Sequence, residues 1–200
     1  MPKHNIWLSI LIILVVIGVP RVVMAGGPKD RIKATTDKLL TIITDPELQR
    51  PETREKRNRM IREAVDRVFD WEAFSRRALS SHWSERTPQE KREFISLFGD
   101  CIEQTYIDKT LQYSGEKVVF LNEIIDGQYG EVITKIITKN GKSIKVEYRV
   151  RKKEKGWFVY DIYVMGVSFV NNYRKQFNSI ITGSSYEELV NRLRSKLVNG

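Results

Sequence analysis

The chain has 200 residues, 41% of them apolar, which is enough to build a core for one domain or at most two small ones and excludes a disordered or fibrous chain. Its 34 Lys and Arg against 25 Asp and Glu give a net charge of +9, so the surface favours anionic partners: lipid headgroups, nucleic acid or acidic proteins. One cysteine, Cys101, excludes an intramolecular disulfide and a paired-cysteine metal or redox site, and two histidines, His4 and His82, exclude a histidine-rich metal centre.

At the N-terminus, Lys3 precedes a run over residues 6–19 that is apolar apart from Ser9 and Gly18, and Val23-Met24-Ala25 follows. That is the pattern of a secretory signal peptide, residues 1–25, cut after Ala25. The run is shorter than the roughly 18 residues of a spanning helix, although Arg21 lies close to the cut and an uncleaved anchor stays open as the alternative. Removing Lys3 and Arg21 takes the charge from +9 to +7, so the basic excess belongs to residues 26–200. No repeat, low-complexity tract or long linker divides those residues, which read as a single domain. A cysteine-poor exported chain of this size fits a bacterial periplasm.

Residues 29–44 carry Ile32, Leu39, Leu40, Ile42 and Ile43 at helical spacing and stop before Asp45-Pro46. Residues 52–69 form a second predicted helix with Met60, Ile61, Ala64, Val65 and Val68 on one face; Arg54, Lys56, Arg57, Arg59 and Arg62 belong to a solvated face. Asp70 caps a short helix ending at Leu79, and Thr87-Pro88-Gln89-Glu90 is a capping box that starts a helix at Pro88. Along it Phe94, Leu97, Phe98, Cys101, Ile102, Thr105 and Tyr106 recur every three or four residues.

The period changes to two after Gly115. Residues 118–125, 130–138, 142–150 and 157–164 read as four strands joined by short turns, hence an antiparallel meander. In the third strand Ile144, Val146, Tyr148 and Val150 point one way, and Ser143, Lys145, Glu147, Arg149 and Arg151 the other. Ser168 then caps a helix carrying Phe169, Val170, Tyr173, Phe177, Ile180 and Ile181, and Ser185 to Glu188 opens a last helix with Leu189, Leu193 and Leu197 along its seam. The fold class is α+β: helices, a four-stranded curved antiparallel sheet, then helices.

Catalytic chemistry is sparse. After the signal segment only His82 is an ordinary base near neutral pH, and it reads as a packing residue. Asp70 reads as a helix cap, and Asp161 is the carboxylate whose burial matters. No phosphate-cradling, zinc-protease or nucleophile-elbow motif occurs in a usable context, so no cofactor or metal is expected. The positive feature is an aromatic surplus around one helix–sheet layer, which periodicity alone reads first as a dry core, with the wall of a cavity as the competing reading.

Two segments add a family resemblance. Phe69-Asp70-Trp71-Glu72-Ala73-Phe74-Ser75-Arg76-Arg77-Ala78-Leu79, with His82-Trp83 and Thr87-Pro88 after it, resembles the periplasmic phospholipid-binding component of the Mla (maintenance of lipid asymmetry) system, the toluene-tolerance family. Tyr160-Asp161-Ile162-Tyr163-Val164-Met165-Gly166-Val167-Ser168-Phe169-Val170-Asn171-Asn172-Tyr173-Arg174-Lys175-Gln176-Phe177 is similar to that family's C-terminal signature. Two positions depart from the pattern: Met165 stands where an acidic residue is expected, and Ser80 where glycine is common.

The resemblance implies a monomeric, non-enzymatic carrier that shuttles phospholipid between an outer-membrane lipoprotein–porin complex and an inner-membrane ABC transporter bearing a ring of MCE domains. Two acyl chains of about 16 carbons cost on the order of 25 kcal/mol to expose, at about 0.8 kcal/mol per methylene, so such a carrier must enclose them. The expected tail contacts are Phe74, Phe94, Phe98, Ile102, Tyr106, Val146, Tyr148, Trp157, Val159 and Tyr163, around an apolar cavity between sheet and helices. Arg76, Arg77 and Arg174 are the expected contacts to a headgroup or partner. The rival readings are an enzyme or small-ligand binder on a nuclear-transport-factor-2-like scaffold, which a buried Asp161 close to His82 would favour, and a lipid-free envelope adaptor.

Overall fold

The computed structural model describes residues 26–199 apart from 111, 112 and 114, and no side chain of 106–110 or of 199. The expected signal segment, residues 1–25, and the side chain of Tyr106 therefore lie outside the described residues. Helix α1 (Pro28–Thr44) starts with proline in its first turn, where the missing N–H costs nothing. Single helical turns at Pro46–Gln49 and Pro51–Thr53 lead into α2 (Arg54–Asp66).

The second helix is shorter than its periodicity predicts. Val68 to Asp70 leave it to run beside the sheet: the Val159 amide donates to the Val68 carbonyl at 2.8 Å, and the Asp70 amide to the Val159 carbonyl at 2.8 Å. Tertiary pairing here overrides helix propensity. Helix α3 (Trp71–Leu79) follows, capped by Asp70, whose Oδ1 accepts from the Ala73 amide at 3.1 Å. After a turn at Ser80–Trp83, α4 (Pro88–Thr110) opens on its capping box: the Glu90 amide donates to Thr87 Oγ1 at 3.2 Å and the Thr87 amide to Glu90 Oε2 at 2.7 Å.

The sheet is a meander of β1 (Lys117–Asp126), β2 (Tyr129–Ile137), β3 (Ser143–Lys153) and β4 (Gly156–Val164), to which a two-residue β5 (Val167–Ser168) adds an unpredicted fifth strand. All neighbours are antiparallel. Ser168 accepts from the Asn171 amide at 3.0 Å to cap α5 (Phe169–Gly183), and α6 (Tyr186–Asn199) closes the chain, its start held by Ser185 Oγ accepting from the Glu188 amide.

The core has two main parts. Helices α3 to α6 enclose Phe74, Leu79, Phe94, Phe98, Phe177 and Leu189, while α1 and Val68 cover Val132, Val150, Trp157 and Val159 on one face of the sheet. Cys101 is buried between α4 and α6, its thiol donating to the Leu193 carbonyl at 3.3 Å, and burial pushes its pKa up. Among the described residues, no helix is long and apolar enough to cross a membrane.

Candidate functional site

A sheet strand sends alternate side chains to opposite faces, so the register identifies what faces the helices. Tyr148 pairs with Val132 and Ile162, Val146 with Thr134 and Val164, Ile144 with Ile136, Phe120 with Thr134, and Val118 with Ile136. These residues share the inward face with Val150 and Val159. Their burial is graded along the strands. Val132, Thr134, Val150 and Val159 are fully buried, whereas Val118, Phe120, Ile136, Ile144, Ile162 and Val164 are only half-buried. At that end, inward-facing apolar side chains keep accessible surface although they point at the interior of the molecule.

A side chain that lines a chamber wide enough for a ligand presents surface to it. Phe74, Phe94 and Phe98 present none, each at 0% exposure. Phe98 is ringed by Tyr173, Phe177, Phe94 and Phe74 at centroid distances of 4.9, 5.0, 5.5 and 5.5 Å, so these rings hold the helices together. Ile102, in the same cluster, and Trp157 and Val159, in the sheet cluster, are also buried. Val146 and Tyr148 belong to the inward row.

Tyr163 departs from that row. The sheet register shifts between Arg149 and Val150, which leaves Tyr160 as an extra residue in β4. A one-residue bulge moves every later side chain to the other face, so Ile162 and Val164 turn inward and Tyr163 outward. Tyr163 pairs with Glu147 and lies under the Arg149 guanidinium, 5.2 Å from its ring centre. Tyr163, an expected tail contact, is thus turned away from the row, whereas Val118, Phe120, Ile136 and Ile144, which were not among the expected contacts, share the register of Val146.

One polar pair interrupts the apolar wall. Thr134 Oγ1 donates to the Val146 carbonyl at 3.1 Å, and the Tyr148 hydroxyl, with its pKa raised by burial, is hydrogen-bonded to Thr134. Both are satisfied within the wall itself. Two clefts lie elsewhere: one of about 680 Å³ mixes Arg31, Glu63 and Lys155 with Met60, Ala64 and Phe158, and one of about 590 Å³ mixes Asp70 and Lys153 with Phe69, Trp71 and Phe158.

The two candidate acid–base residues are spent on structure. Asp161 is buried, accepting from Ser168 Oγ at 2.6 Å and from the Val170 amide at 3.1 Å, which fixes the start of α5. His82 Nε2 meets Asn178 Oδ1 at 3.0 Å. Asp70 bridges α3 to β3: its Oδ2 accepts from Arg151 Nε at 2.5 Å and Lys153 Nζ at 2.7 Å. Burial alone would raise its pKa, but hydrogen bonds from Lys153, Arg151 and the Ala73 amide outweigh burial and hold the carboxyl below the usual carboxylate range. No group of three or more His, Cys, Asp or Glu among the described residues could hold a metal ion.

Of the three expected surface arginines, Arg76 is exposed, whereas Arg77 lies over the Tyr160 ring at 4.2 Å and Arg174 Nε donates to the Arg77 carbonyl at 2.9 Å. Arg174 ties the end of α3 to α5, and Arg77 packs it against β4.

The profile of the MlaC protein family matches residues 33–195. The "Intermembrane phospholipid transport system binding protein MlaC" of Haemophilus influenzae is 26% identical over 123 residues, which span 59% of this chain and 58% of that relative. A phospholipid-binding protein from Ralstonia solanacearum, solved in complex with a phospholipid, has the same fold with a TM-score of 0.77 at 23% identity, covering 87% of this chain and 98% of that one.

Proposed function

The chain belongs to the MlaC protein family, and from that premise we propose that it is a periplasmic phospholipid carrier rather than an enzyme. The acyl tails lie along the half-buried inward row of Val118, Phe120, Ile136, Ile144, Tyr148, Ile162 and Val164, beside the buried Val146, with the headgroup near solvent. The observation that carries this reading is the graded burial of that row: apolar surface turned toward the interior is stable only if something apolar covers it. The Ralstonia structure, with its bound phospholipid, supports the cargo class.

The finer reading is a shuttle. The carrier takes lipid between an outer-membrane lipoprotein–porin complex and an inner-membrane ABC transporter with an MCE ring, acting as a monomer exported by residues 1–25. The Haemophilus relative, an intermembrane phospholipid transport system binding protein, supports it. Arg76 is the arginine of the expected three with a side chain free to meet a headgroup or partner, while Arg77 and Arg174 serve the fold first.

Native mass spectrometry with lipid extraction tests the cargo. Wild-type protein recovers stoichiometric phospholipid; Ile162→Trp, which fills the row, lowers it severalfold without lowering the melting temperature in proportion. Phe98→Leu has the opposite profile, losing about 1–2 kcal/mol of stability while keeping lipid. Lipid-free wild-type protein that also takes none from vesicles would refute the carrier reading and favour the adaptor.

A further inference from the structure

Five strand ends meet at one end of the sheet. Lys117 pairs with Ile137, the β2–β3 turn carries Lys139 and Lys142, and Val146 pairs with Val164 just before the Met165-Gly166 turn. The Met165 amide donates to the Lys145 carbonyl at 3.0 Å, which ties that turn to the same end. At about 4.8 Å between strands, β1 to β5 make an edge of roughly 19 Å.

Two features of this edge have no role inside the fold. Met165 and Val167 are 62% and 60% exposed, side by side on the β4–β5 hairpin. Met165 also has φ of 51° and Gly166 φ of 80°, the backbone of a two-residue hairpin turn that favours Asn-Gly or Gly-Gly. An unbranched apolar residue there costs conformational energy and gains no packing. The second feature is charge. Residues 132–146 and 162–186 contain no Asp or Glu, and Lys117, Lys139 and Lys142 are exposed and pair with no carboxylate among the described residues. Of the flanking acids, Glu147 is engaged by Lys145 and Glu116 by another contact.

We propose that this end of the sheet is a contact surface for an anionic phospholipid bilayer, with Met165 and Val167 entering the headgroup layer and Lys117, Lys139 and Lys142 set against its negative surface. Composition selects a bilayer over a protein partner. Lysine is depleted from protein–protein interfaces, whereas apolar prongs flanked by lysines match a surface that is anionic outside and hydrocarbon beneath. The contact is weak and reversible by construction, since two short side chains and three lysines fall far below a stable anchor.

The surface does not depend on what the interior carries, and the test reads the two separately. The purified protein is sedimented with vesicles of pure phosphatidylcholine and with vesicles holding roughly one phosphatidylglycerol in four, at about 50 and about 300 mM salt. Wild-type protein partitions onto the anionic vesicles, is released by salt and ignores pure phosphatidylcholine. Lys139→Ser with Lys142→Ser lowers partition by about fivefold per lysine. Met165→Asn lowers it severalfold while keeping or raising the melting temperature, because Asn suits the turn. Bound lipid extracted from the same preparations is unchanged. Equal partition onto neutral vesicles, or partition untouched by both variants, overturns the proposal. So does the finding that these variants weaken only a protein complex.

Discussion

Replacing Glu103 by Gln should remove a pH-dependent weakness between α2 and α4. Glu103 keeps only 6% of its side-chain surface and sits with Arg62, which also reaches Asp100 at 2.8 Å. Burial pushes its pKa from 4.5 to about 7; the Arg62 charge opposes the rise, and the neighbouring Asp66, itself accepting from Trp71 Nε1 at 2.7 Å, adds to it. The folded carboxyl thus holds its proton more tightly than the unfolded one. Between pH 4.5 and about 7 the folded state carries the extra proton, so stability is complete below 4.5 and falls as pH rises through 7. At about 1.36 kcal/mol per pKa unit the loss is about 3 kcal/mol. Gln stands in for the neutral acid, so Glu103→Gln should match the wild type near pH 4 and exceed it by about 3 kcal/mol near pH 8. Urea unfolding at a series of pH values measures the difference. Parallel stability profiles for the two proteins would show that Glu103 does not titrate differently on folding.

Two further substitutions test the frame. Asp70→Ala removes the α3 cap and leaves Arg151 and Lys153, both partly solvated, without their carboxylate; the expected cost is about 2–4 kcal/mol at neutral pH. Because the pKa of Asp70 is depressed in the fold, its contribution is present above the ordinary carboxylate range and lost as pH falls through the folded value, so wild type and variant should converge in acid unfolding curves. Ser80→Gly should stabilise by about 1 kcal/mol, since Ser80 is exposed and held at φ of 53°, where glycine has no steric penalty. A thermal melt that falls on this change would contradict the strain.

Local chemistry was legible wherever a side chain acts on its own backbone. The caps at Asp70, Thr87, Ser168 and Ser185 and the alternation of Ile144, Val146, Tyr148 and Val150 appear as the sequence implied. Both departures from the family pattern, Ser80 and Met165, proved to be the non-glycine residues of the described chain at positive φ, so the resemblance located the strain before its geometry was visible. What stayed hidden depends on long-range pairing. The detachment of Val68 to Asp70 requires β4 to be present, and the bulge at Tyr160 requires β3, so neither leaves a periodic signal. The distinction between Phe98, a packed ring, and Ile162, a half-covered wall residue, is one of volume rather than hydropathy, and apolar patterning is blind to it.

The two main-chain bonds between Val159 and the Val68–Asp70 segment, reinforced by Asp70 with Arg151 and Lys153, act as a fixed hinge pin at one end of the sheet. The lever arm from Val159 to Val164 is about 16 Å at the usual rise per residue. A rotation of about 10° around that pin would part the far end by roughly 3 Å, while the pinned end stayed closed. A molecule entering between the layers at the far end would push on the long arm of that lever, where a given force has the greatest turning effect.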